Sequence, residues 1–375
     1  MAVSTLSRVA VVGSAQTMLR ASWTELQHVD LIAAAVDAVL RGSGLDMKDV
    51  DVVIDCGSDV LDGRSISNCG FLGAMGAHHK EESRVEEDGL FGAVYGTTKI
   101  AGGSASVALI VAYSKPSESD VSAYYATLSD PFYQRALGLD HIGAAGLTAN
   151  QYLTTTDADE EGLLRIAAES WRKVADNPSV DLDRVPSLAD IQASPLVADP
   201  LRSLQIARPV DGAVAVLLAS EQVARRVTDR PVWITGMGAA MDSHFLADRA
   251  PGELEACRAA ANMAMKRAGI TAVSSIGLAE VSGASAAGEA MVIEALGFAP
   301  RGHAVDAYSE GATVAINPSG GALPADPIMA TGLVRLHEAS SRLTGRLGGD
   351  VGSRAIVHGA GGLGMQNNCV FIVEV

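Results

Sequence analysis

The stretch INPSGGALPADPIMATGLVRL, Ile316–Leu336, decides how the rest of the sequence is interpreted. A loop of Asn, Pro, Ser and two glycines runs directly into a segment with apolar residues at helical spacing. Such a loop forms a tight turn that can hold a ligand against the start of a helix. Asp326 lies between the turn and the helix, and its role is the question that this stretch raises. Four loop residues are candidate ligand-binding residues: Asn317, Ser319, Gly320 and Gly321.

Composition and charge narrow the classes of protein that the sequence fits. The 375 residues carry a formal net charge of −16, and a nucleic-acid partner is not expected because phosphate binding needs a basic face. Aromatic residues make up only 4% of the chain, and Ala, Val, Leu and Gly dominate, which is typical of a large α/β core. No apolar run of about 18 residues occurs, so no membrane span is expected. The start MAVSTLSRVAVVG is predicted to lead into a first strand and not to be a signal peptide, and a cytoplasmic protein is expected.

The cysteines and histidines give no pattern of a metal site or a disulfide framework. The four cysteines have no paired spacing, so no metal is predicted and a reducing compartment fits. Cys69 is interpreted as a loop thiol without a catalytic role. His78 and His79 are adjacent on a charged loop and are interpreted as solvated side chains.

Strands and helices alternate along both halves of the chain. In the first half, three stretches are predicted to be strands with helical segments between them: RVAVVGSAQT, DVDVVIDCGS and ASVALIVAYS. The second half repeats the order, from RPVWITGMGAA to NNCVFIVEV. This alternation predicts crossover units, a mostly parallel sheet and an internal duplication. The two halves are assigned to residues 1–229 and 230–375.

A long irregular segment, about residues 115–204, separates the strands of the first half. It contains the helical stretch EEGLLRIAAESWRKVA and a tail with several prolines. Insertions of this size on a rigid core often cover a site, and they also occur as surface caps that only pack on the core. Both interpretations of the segment stay open at this point.

Four stretches in order resemble the thiolase superfamily, and the similarity extends over nearly the whole chain. They are VEEDGLFGAVYGTTKIAGGSASVALIVA, PLVADPLRSLQIARPVDGAVAVLLAS, the stretch quoted first, and IVHGAGGLGMQNNCVFIVE. The resemblance is closest to the sterol-carrier-protein-type, lipid-transfer-like branch, in which a His replaces a Cys in the last loop. It implies a duplicated α/β fold with five αβαβα layers, a dimer, and a CoA thioester as substrate or ligand with no cofactor held by this chain. A loop of the quoted type would then be an acyl-CoA loop.

The resemblance also implies where catalytic groups would stand. The nucleophilic Cys of the family falls in VEEDGLFGA, on or beside Gly89, which has no side chain to acylate, and no Cys lies between Cys69 and Cys257. The activating His of the family becomes Asp326, and the motif on the middle strand of the second half becomes EVSGAS, with Ser282 and Gly283 at its polar positions. Only His358 in VHGAG remains as a base in the last loop. Condensation or thiolysis through an acyl-cysteine is therefore not expected at this site.

Three candidate residues keep a structural interpretation beside the catalytic one. Asp326 is either a general base in nucleophile-free carbon–carbon chemistry or the N-cap of a helix that begins at Pro327. His358 is either a proton-transfer residue or oxyanion donor, or a loop histidine bonded to backbone. Tyr308 in DAYSEG is interpreted as structural, with a role as an acid in aldol cleavage as the alternative.

Two functions follow from the resemblance. The first is a thiolase-like subunit with a degenerate active site, working in a heteromeric acyl-CoA carbon–carbon bond-forming or -cleaving complex of the thiolase or acyltransferase type. Its partners would be a catalytic thiolase-like subunit and a small zinc-ribbon/OB-fold protein. The second is a nucleophile-free retro-aldolase (a C–C lyase) acting on a β-hydroxyacyl-CoA, as in steroid side-chain degradation. The sequence favours the first because one cause then explains three lost groups.

Overall fold

The computed structural model describes residues 7–309, 311–349 and 351–375. The first six residues of the stretch predicted to lead into a strand, and Glu310 of the DAYSEG motif, lie outside the described residues. In the described chain, two five-stranded halves join into one mixed sheet.

The first half consists of five strands and the helices that connect them. In chain order these elements are β1 Val9–Gln16, α1 His28–Ser43, β2 Val52–Cys56, α2 Ser67–Met75, β3 Glu81–Val85, α3 Gly89–Ala101 and β4 Val107–Ser114. The long segment then supplies α4 Val121–Thr127, α5 His141–Thr155, α6 Glu160–Val174, α7 Leu188–Ala193 and a small hairpin of β5 Leu196–Ala198 and β6 Leu201–Arg202. Strand β7 Gly212–Ser220 and helix α8 Glu221–Val227 complete the half.

The second half repeats the plan with a shorter set of connections. Its elements are β8 Val232–Met241, α9 Glu255–Arg267, β9 Leu278–Glu280, α10 Ala286–Ala295, β10 Ala315–Ile316, α11 Thr331–Leu343, β11 Arg354–Gly361 and β12 Asn367–Glu374. The strand order is β3-β2-β4-β7-β1 in the first half and β10-β9-β11-β12-β8 in the second, so corresponding strands take the same places. The predicted duplication is therefore present in the topology.

The sheet is mixed, whereas the sequence predicted a mostly parallel one. Strand β2 pairs parallel with β3 and β4, and β9 pairs parallel with β10 and β11. The remaining pairs are antiparallel, including β4 with β7, β11 with β12, and β1 with β8, which joins the halves. Alternation of strands and helices does not reveal these pairs, because β11 and β12 form a direct hairpin and β7 returns antiparallel to β4 after a segment whose helices pack mainly on the second half.

Helices α3 and α11 form the central layer between the two halves. They pack on each other and on strands of both halves, and they share one apolar core with them. Helices α1 and α2 cover the outer face of the first half, and α9 and α10 cover that of the second, which gives five layers. A Cβ at Gly92 of α3 would lie 2.2 Å from the Cys56 Sγ, so glycine lets α3 lie directly on β2. The close approach places the start of α3 beside the start of α11.

The segment between β4 and β7 packs mainly on the second half. Helices α5 and α6 contact α10, and residues such as Tyr152, Ile166 and Trp171 belong to the apolar core that α9 and α10 form. Helix α4 rests on a smaller cluster with Leu61 and Ile328. No helix among the described residues is both long and apolar enough to cross a membrane.

Candidate functional site

A cavity of about 1050 Å³, its opening to solvent included, lies where α4 and α5 cover the starts of the two central helices. Its floor is formed by the turns before α3 and α11 and by the Ser282–Ser285 turn before α10. The β11–β12 loop supplies one wall, and α4 and α5 form the roof. The long segment thus does more than pack on the core, because it encloses this cavity.

Asp88 connects the two central helices at the floor. Its Oδ1 accepts a hydrogen bond of 2.9 Å from the N–H of Leu90 in α3, and its Oδ2 accepts one of 2.8 Å from the N–H of Gly332 in α11. The side chain is the N-cap of α3 and is only 2% exposed. Burial raises the pKa of Asp88 to about 7, against the lowering effect of the two N–H bonds, and the charges of Glu87 and Asp326 raise it further.

Asp326 has one carboxylate oxygen free. Its Oδ1 accepts a hydrogen bond from the hydroxyl of Thr331, the first residue of α11. The described residues offer no hydrogen bond to Oδ2, and the residue is half-buried and lines the cavity. Withdrawal from water raises the pKa of Asp326 to about 6, while the Thr331 hydrogen bond and the Arg335 charge lower it. An ionised carboxylate with an accessible oxygen and such a pKa is suited to general-base chemistry near neutral pH.

Asp326 is not the cap of a helix that begins at Pro327. Helix α11 begins at Thr331. The backbone of Asp326 forms a bridge with the strand-like segment at Pro209 instead, since its N–H donates to the Arg208 carbonyl. The sequence placed the helix start too early because Asp before Pro is a common cap signal, and the pairing with residue 209 is a tertiary contact.

Glu87 is the third carboxyl group that lines the cavity. Its Oε2 accepts a hydrogen bond from the Asn367 side chain, and burial raises its pKa. The carboxylate also packs against Gly361, where a Cβ would lie 1.9 Å from the Glu87 Oε1. A side chain at this position would displace the Glu87 carboxylate, so glycine lets the carboxylate lie against the wall.

Two tyrosines and a histidine of the roof line the cavity. Tyr125 stacks on His141 with ring centroids 4.2 Å apart. The Tyr124 hydroxyl lies 3.9 Å from the Met329 sulfur. Burial raises the pKa of Tyr125, and the charge of Asp326 raises it further, so the phenol stays protonated. The His141 Nδ1 is enclosed without a hydrogen-bond partner among the described residues, and burial lowers the pKa of this imidazole.

His358 does not line the cavity. It lies in β11 with no exposed surface, and its Nε2 is 2.9 Å from the Asn368 Oδ1. The N–H of Ser282 points to the Nδ1 at 3.4 Å, so the tautomer with a proton on Nε2 satisfies both ring nitrogens. Burial lowers the pKa of His358 to about 4. The predicted proton-transfer residue is thus a neutral imidazole held behind the wall of the cavity.

The four residues of the predicted acyl-CoA loop also lie beneath the cavity and do not line it. The Asn317 Oδ1 accepts from the N–H of Val281, and the Ser319 hydroxyl donates to buried Glu280 at 2.6 Å. Gly320 and Gly321 have φ of 98° and 71°, which form the tight turn that the sequence predicted. Their turn supports the loop that carries Asp326, and Ala322 is the part of it that reaches the cavity.

The remaining candidate residues lie in the cavity, in the core or at the surface. Ser282 and Gly283 line the cavity, as the family motif suggested. Tyr308 is outside it, with its hydroxyl bonded to buried Glu289 and its ring beneath the Lys173 amine. Cys69 is exposed on α2.

No cysteine of the chain lines the cavity. Cys56, Cys257 and Cys369 are buried elsewhere. At Gly89, a Cβ would lie 2.7 Å from those of Ala112 and Leu333, so this position points into the core. The residues of the turn that line the cavity are Glu87 and Asp88.

Sequence reasoning missed five residues of this site: Glu87, Asp88, Tyr124, Tyr125 and His141. The sequence does carry a signal for Asp88, because Asp before a small-residue helix is a pattern that predicts an N-cap. The roof residues had none, since their place follows from how the long segment folds over the core.

The chain was compared with known proteins. A model of the family "Thiolase C-terminal domain-like" matches residues 238–374. An acetyl-CoA acetyltransferase of Methanothermobacter thermautotrophicus is 26% identical over 376 residues, covering 94% of this chain and 97% of that protein. Sterol carrier protein 2 of Gallus gallus is 27% identical over 231 residues, covering 56% of this chain and 41% of that protein.

A solved structure described as "Ltp2-ChsH2(DUF35) aldolase" has the same fold. Its TM-score is 0.82 at 22% sequence identity, and the match covers 99% of this chain and 98% of that one. The predicted five-layer α/β fold is confirmed by this likeness and by the strand order of the two halves.

Proposed function

Since the chain belongs to the thiolase superfamily, in its sterol-carrier-protein-type branch, we propose that it is a carbon–carbon lyase for β-hydroxyacyl-CoA thioesters. The reaction is a retro-aldol cleavage without a covalent enzyme intermediate. The observation that carries the proposal is the free Oδ2 of Asp326, which faces a cavity that no cysteine reaches.

The proposed reaction needs one base and one acid. The Asp326 Oδ2 takes the proton of the β-hydroxyl, the bond between the α- and β-carbons breaks, and its electron pair moves onto the thioester as an enolate. The products are a ketone or aldehyde and, after protonation of the α-carbon, a shorter acyl-CoA. The Tyr125 hydroxyl supplies that proton, and the phenolate recovers one from protonated Asp326. The pKa of about 6 suits Asp326 to the base role, and the raised pKa of Tyr125 keeps it a donor.

Asp88 is proposed to position the site. Both of its oxygens are bonded to backbone N–H groups, so neither is free to take a substrate proton. The bridge holds the positive ends of α3 and α11 together at the floor, where they favour the negative charge of an enolate.

A second candidate is the thiolase-like subunit with a degenerate site, in which a partner supplies the catalytic groups. The lack of a cysteine in the cavity favours it. In both cases we propose a heteromeric complex with a small zinc-ribbon/OB-fold protein. The support is the fold shared with the Ltp2-ChsH2(DUF35) aldolase, whose description names two components. One candidate substrate is a β-hydroxyacyl-CoA thioester of steroid side-chain degradation.

The test is direct detection of the two products. The chain, alone and co-expressed with a zinc-ribbon/OB-fold protein of the same genome, is incubated with 3-hydroxy-3-methylbutanoyl-CoA and with bulkier tertiary β-hydroxyacyl-CoA thioesters. Mass spectrometry is expected to find a ketone and acetyl-CoA in equal amounts, with no mass added to the protein. Cleavage that persists in Asp326→Asn, or that requires another thiolase-like subunit, would favour the degenerate subunit. A stoichiometric acyl adduct would exclude both.

A further inference from the structure

We infer that the cavity selects acyl-CoA thioesters whose acyl group is uncharged, and that it rejects those with a second carboxylate close to the thioester. The inference rests on the proposed function, because it takes the cavity to be the acyl site. It adds the substrate class that the carboxyl groups and the apolar walls of the cavity define.

The charged groups that line the cavity have one sign. Glu87, Asp88 and Asp326 contribute three carboxyl groups to the wall and floor. No Lys or Arg lines the cavity in the described part of the chain, and His141 is a neutral imidazole. A carboxylate on the acyl group would lose its water and meet like charges without a counter-ion, and such an arrangement is strongly unfavourable.

Guanidinium groups next to the cavity lining are already occupied by acceptors of the protein, and Arg208 likewise donates to the Pro324 carbonyl. Arg249 donates to the carbonyls of Gly364 and Leu363 behind the wall loop. Arg335 is buried and paired with Glu280 at 3.1 Å. None of these groups is free to turn toward a second carboxylate in the cavity.

The remaining surface of the cavity suits an apolar acyl group. Tyr124, Leu254, Met291, Ile328 and Met365 present hydrocarbon, ring and thioether surfaces. Methionine side chains adapt to ligands of different shape, so the wall can hold branched or cyclic groups. The enclosed Nδ1 of His141 offers a neutral hydrogen-bonding site for a hydroxyl or a keto oxygen.

The experiment compares binding within pairs of acyl-CoA thioesters of equal length. Butanoyl-CoA is paired with succinyl-CoA and hexanoyl-CoA with adipoyl-CoA, which place the second carboxylate at two depths. None carries a β-hydroxyl group, so calorimetric titration at pH 8 measures affinity without cleavage. At pH 8 the carboxyl groups of Asp326 and Asp88, with pKa values of about 6 and about 7, are largely ionised. We expect the monoacid thioester to bind roughly 10²-fold more tightly within each pair, as unpaired like charges require.

Two variants test whether the cavity is the source of the selectivity. Thr148 lies half-buried on the roof helix α5 and lines the cavity, so Thr148→Arg places a guanidinium there, and Thr148→Gln is the control of similar length. The Arg variant is expected to bind succinyl-CoA at least about tenfold more tightly than the Gln variant. Glu87→Gln, which keeps the shape of the wall, is expected to reduce the preference for butanoyl-CoA.

Equal affinities within the pairs, tighter binding of the diacid thioesters, or no binding of any of the four would overturn the inference. So would a preference that both Thr148→Arg and Glu87→Gln leave unchanged while their melting temperatures match the wild type. A preference for monoacid thioesters together with no cleavage of any β-hydroxyacyl-CoA would instead reject the proposed lyase and keep the inferred substrate class.

Discussion

Replacing Asp326 by asparagine removes the proposed base and leaves its local structure nearly intact. The amide oxygen of Asn still accepts the hydrogen bond from the Thr331 hydroxyl, so the start of α11 keeps its partner. The free Oδ2 becomes an NH₂ group that takes no proton. Loss of a general base lowers the rate by roughly 10²–10⁴-fold. The corresponding rise of the activation barrier is about 3–5 kcal/mol.

The same substitution is expected to raise stability at high pH. Withdrawal from water moves the pKa of Asp326 from 3.8 to about 6. At one pKa unit per about 1.4 kcal/mol, the ionised carboxylate costs the folded state at most about 3 kcal/mol. The wild type loses this stability as pH rises from about 4 to about 6, because the unfolded carboxyl ionises first. The Asn side chain of Asp326→Asn does not titrate. The gain in unfolding free energy over the wild type is therefore absent near pH 4 and constant above about pH 6.

The assay combines initial rates of thioester cleavage with chemical denaturation at pH 4.5 and pH 8. Thr331→Val is the matched control, since it removes the hydroxyl that binds Asp326 and keeps the carboxylate. The Thr331 hydrogen bond lowers the pKa of Asp326, so in this variant the acid limb of the pH–rate profile should move to higher pH and activity should recover at pH 8. Wild-type turnover in Asp326→Asn would refute the base role. A loss of turnover that accompanies lower stability at pH 8 would refute the account of the carboxyl's environment.

Three further substitutions test the positions around this base. Gly89→Cys should lower stability by about 1–3 kcal/mol through overpacking, and mass spectrometry after acetoacetyl-CoA treatment should find no acyl adduct at the new thiol, which points into the core. Asp88→Ala frees the N–H groups of Leu90 and Gly332, so denaturation should show a loss of about 1–3 kcal/mol for each, partly offset by removal of a buried charge. His358→Asn should lower the melting temperature and leave both limbs of the pH–rate profile in place, because the neutral ring has no contact with the cavity, and a profile that loses a limb would restore His358 as a proton-transfer residue.

The sequence predicted the fold because its signals are local or repeated. The apolar runs that became β2, β4 and β12 and the glycine-rich turn at Gly320 depend on neighbours within a few residues. Repetition of the same order in both halves then made the duplication visible. The antiparallel pairing at the centre of the sheet was not visible, because pairing of distant strands leaves no mark on either strand alone.

The site was less predictable, since its residues converge from many segments that lie far apart between Glu87 and Met365. Asp326 was identified, and its interpretation as a base gains support from the free oxygen that lines the cavity. His358 was proposed from its place in a motif, but the structure buries it in β11 against Ser282 and Asn368, outside the residues that line the cavity. The roof residues Tyr125 and His141 depend on how α4 and α5 lie over the core, which no spacing encodes.

The two hydrogen bonds of Asp88 also bear on the side from which a ligand can enter the cavity. Helices α3 and α11 come from opposite halves of the duplication, and one buried carboxylate fastens their first turns together. Separating the halves would leave that carboxylate and two N–H groups without hydrogen-bond partners. We therefore expect the floor of the cavity to stay closed. Helix α4, by contrast, rests on a small apolar cluster with Leu61 and Ile328. A ligand of the cavity is therefore expected to enter and leave past the roof, where movement of α4 would leave the Asp88 bridge and the Asp326 carboxylate in place.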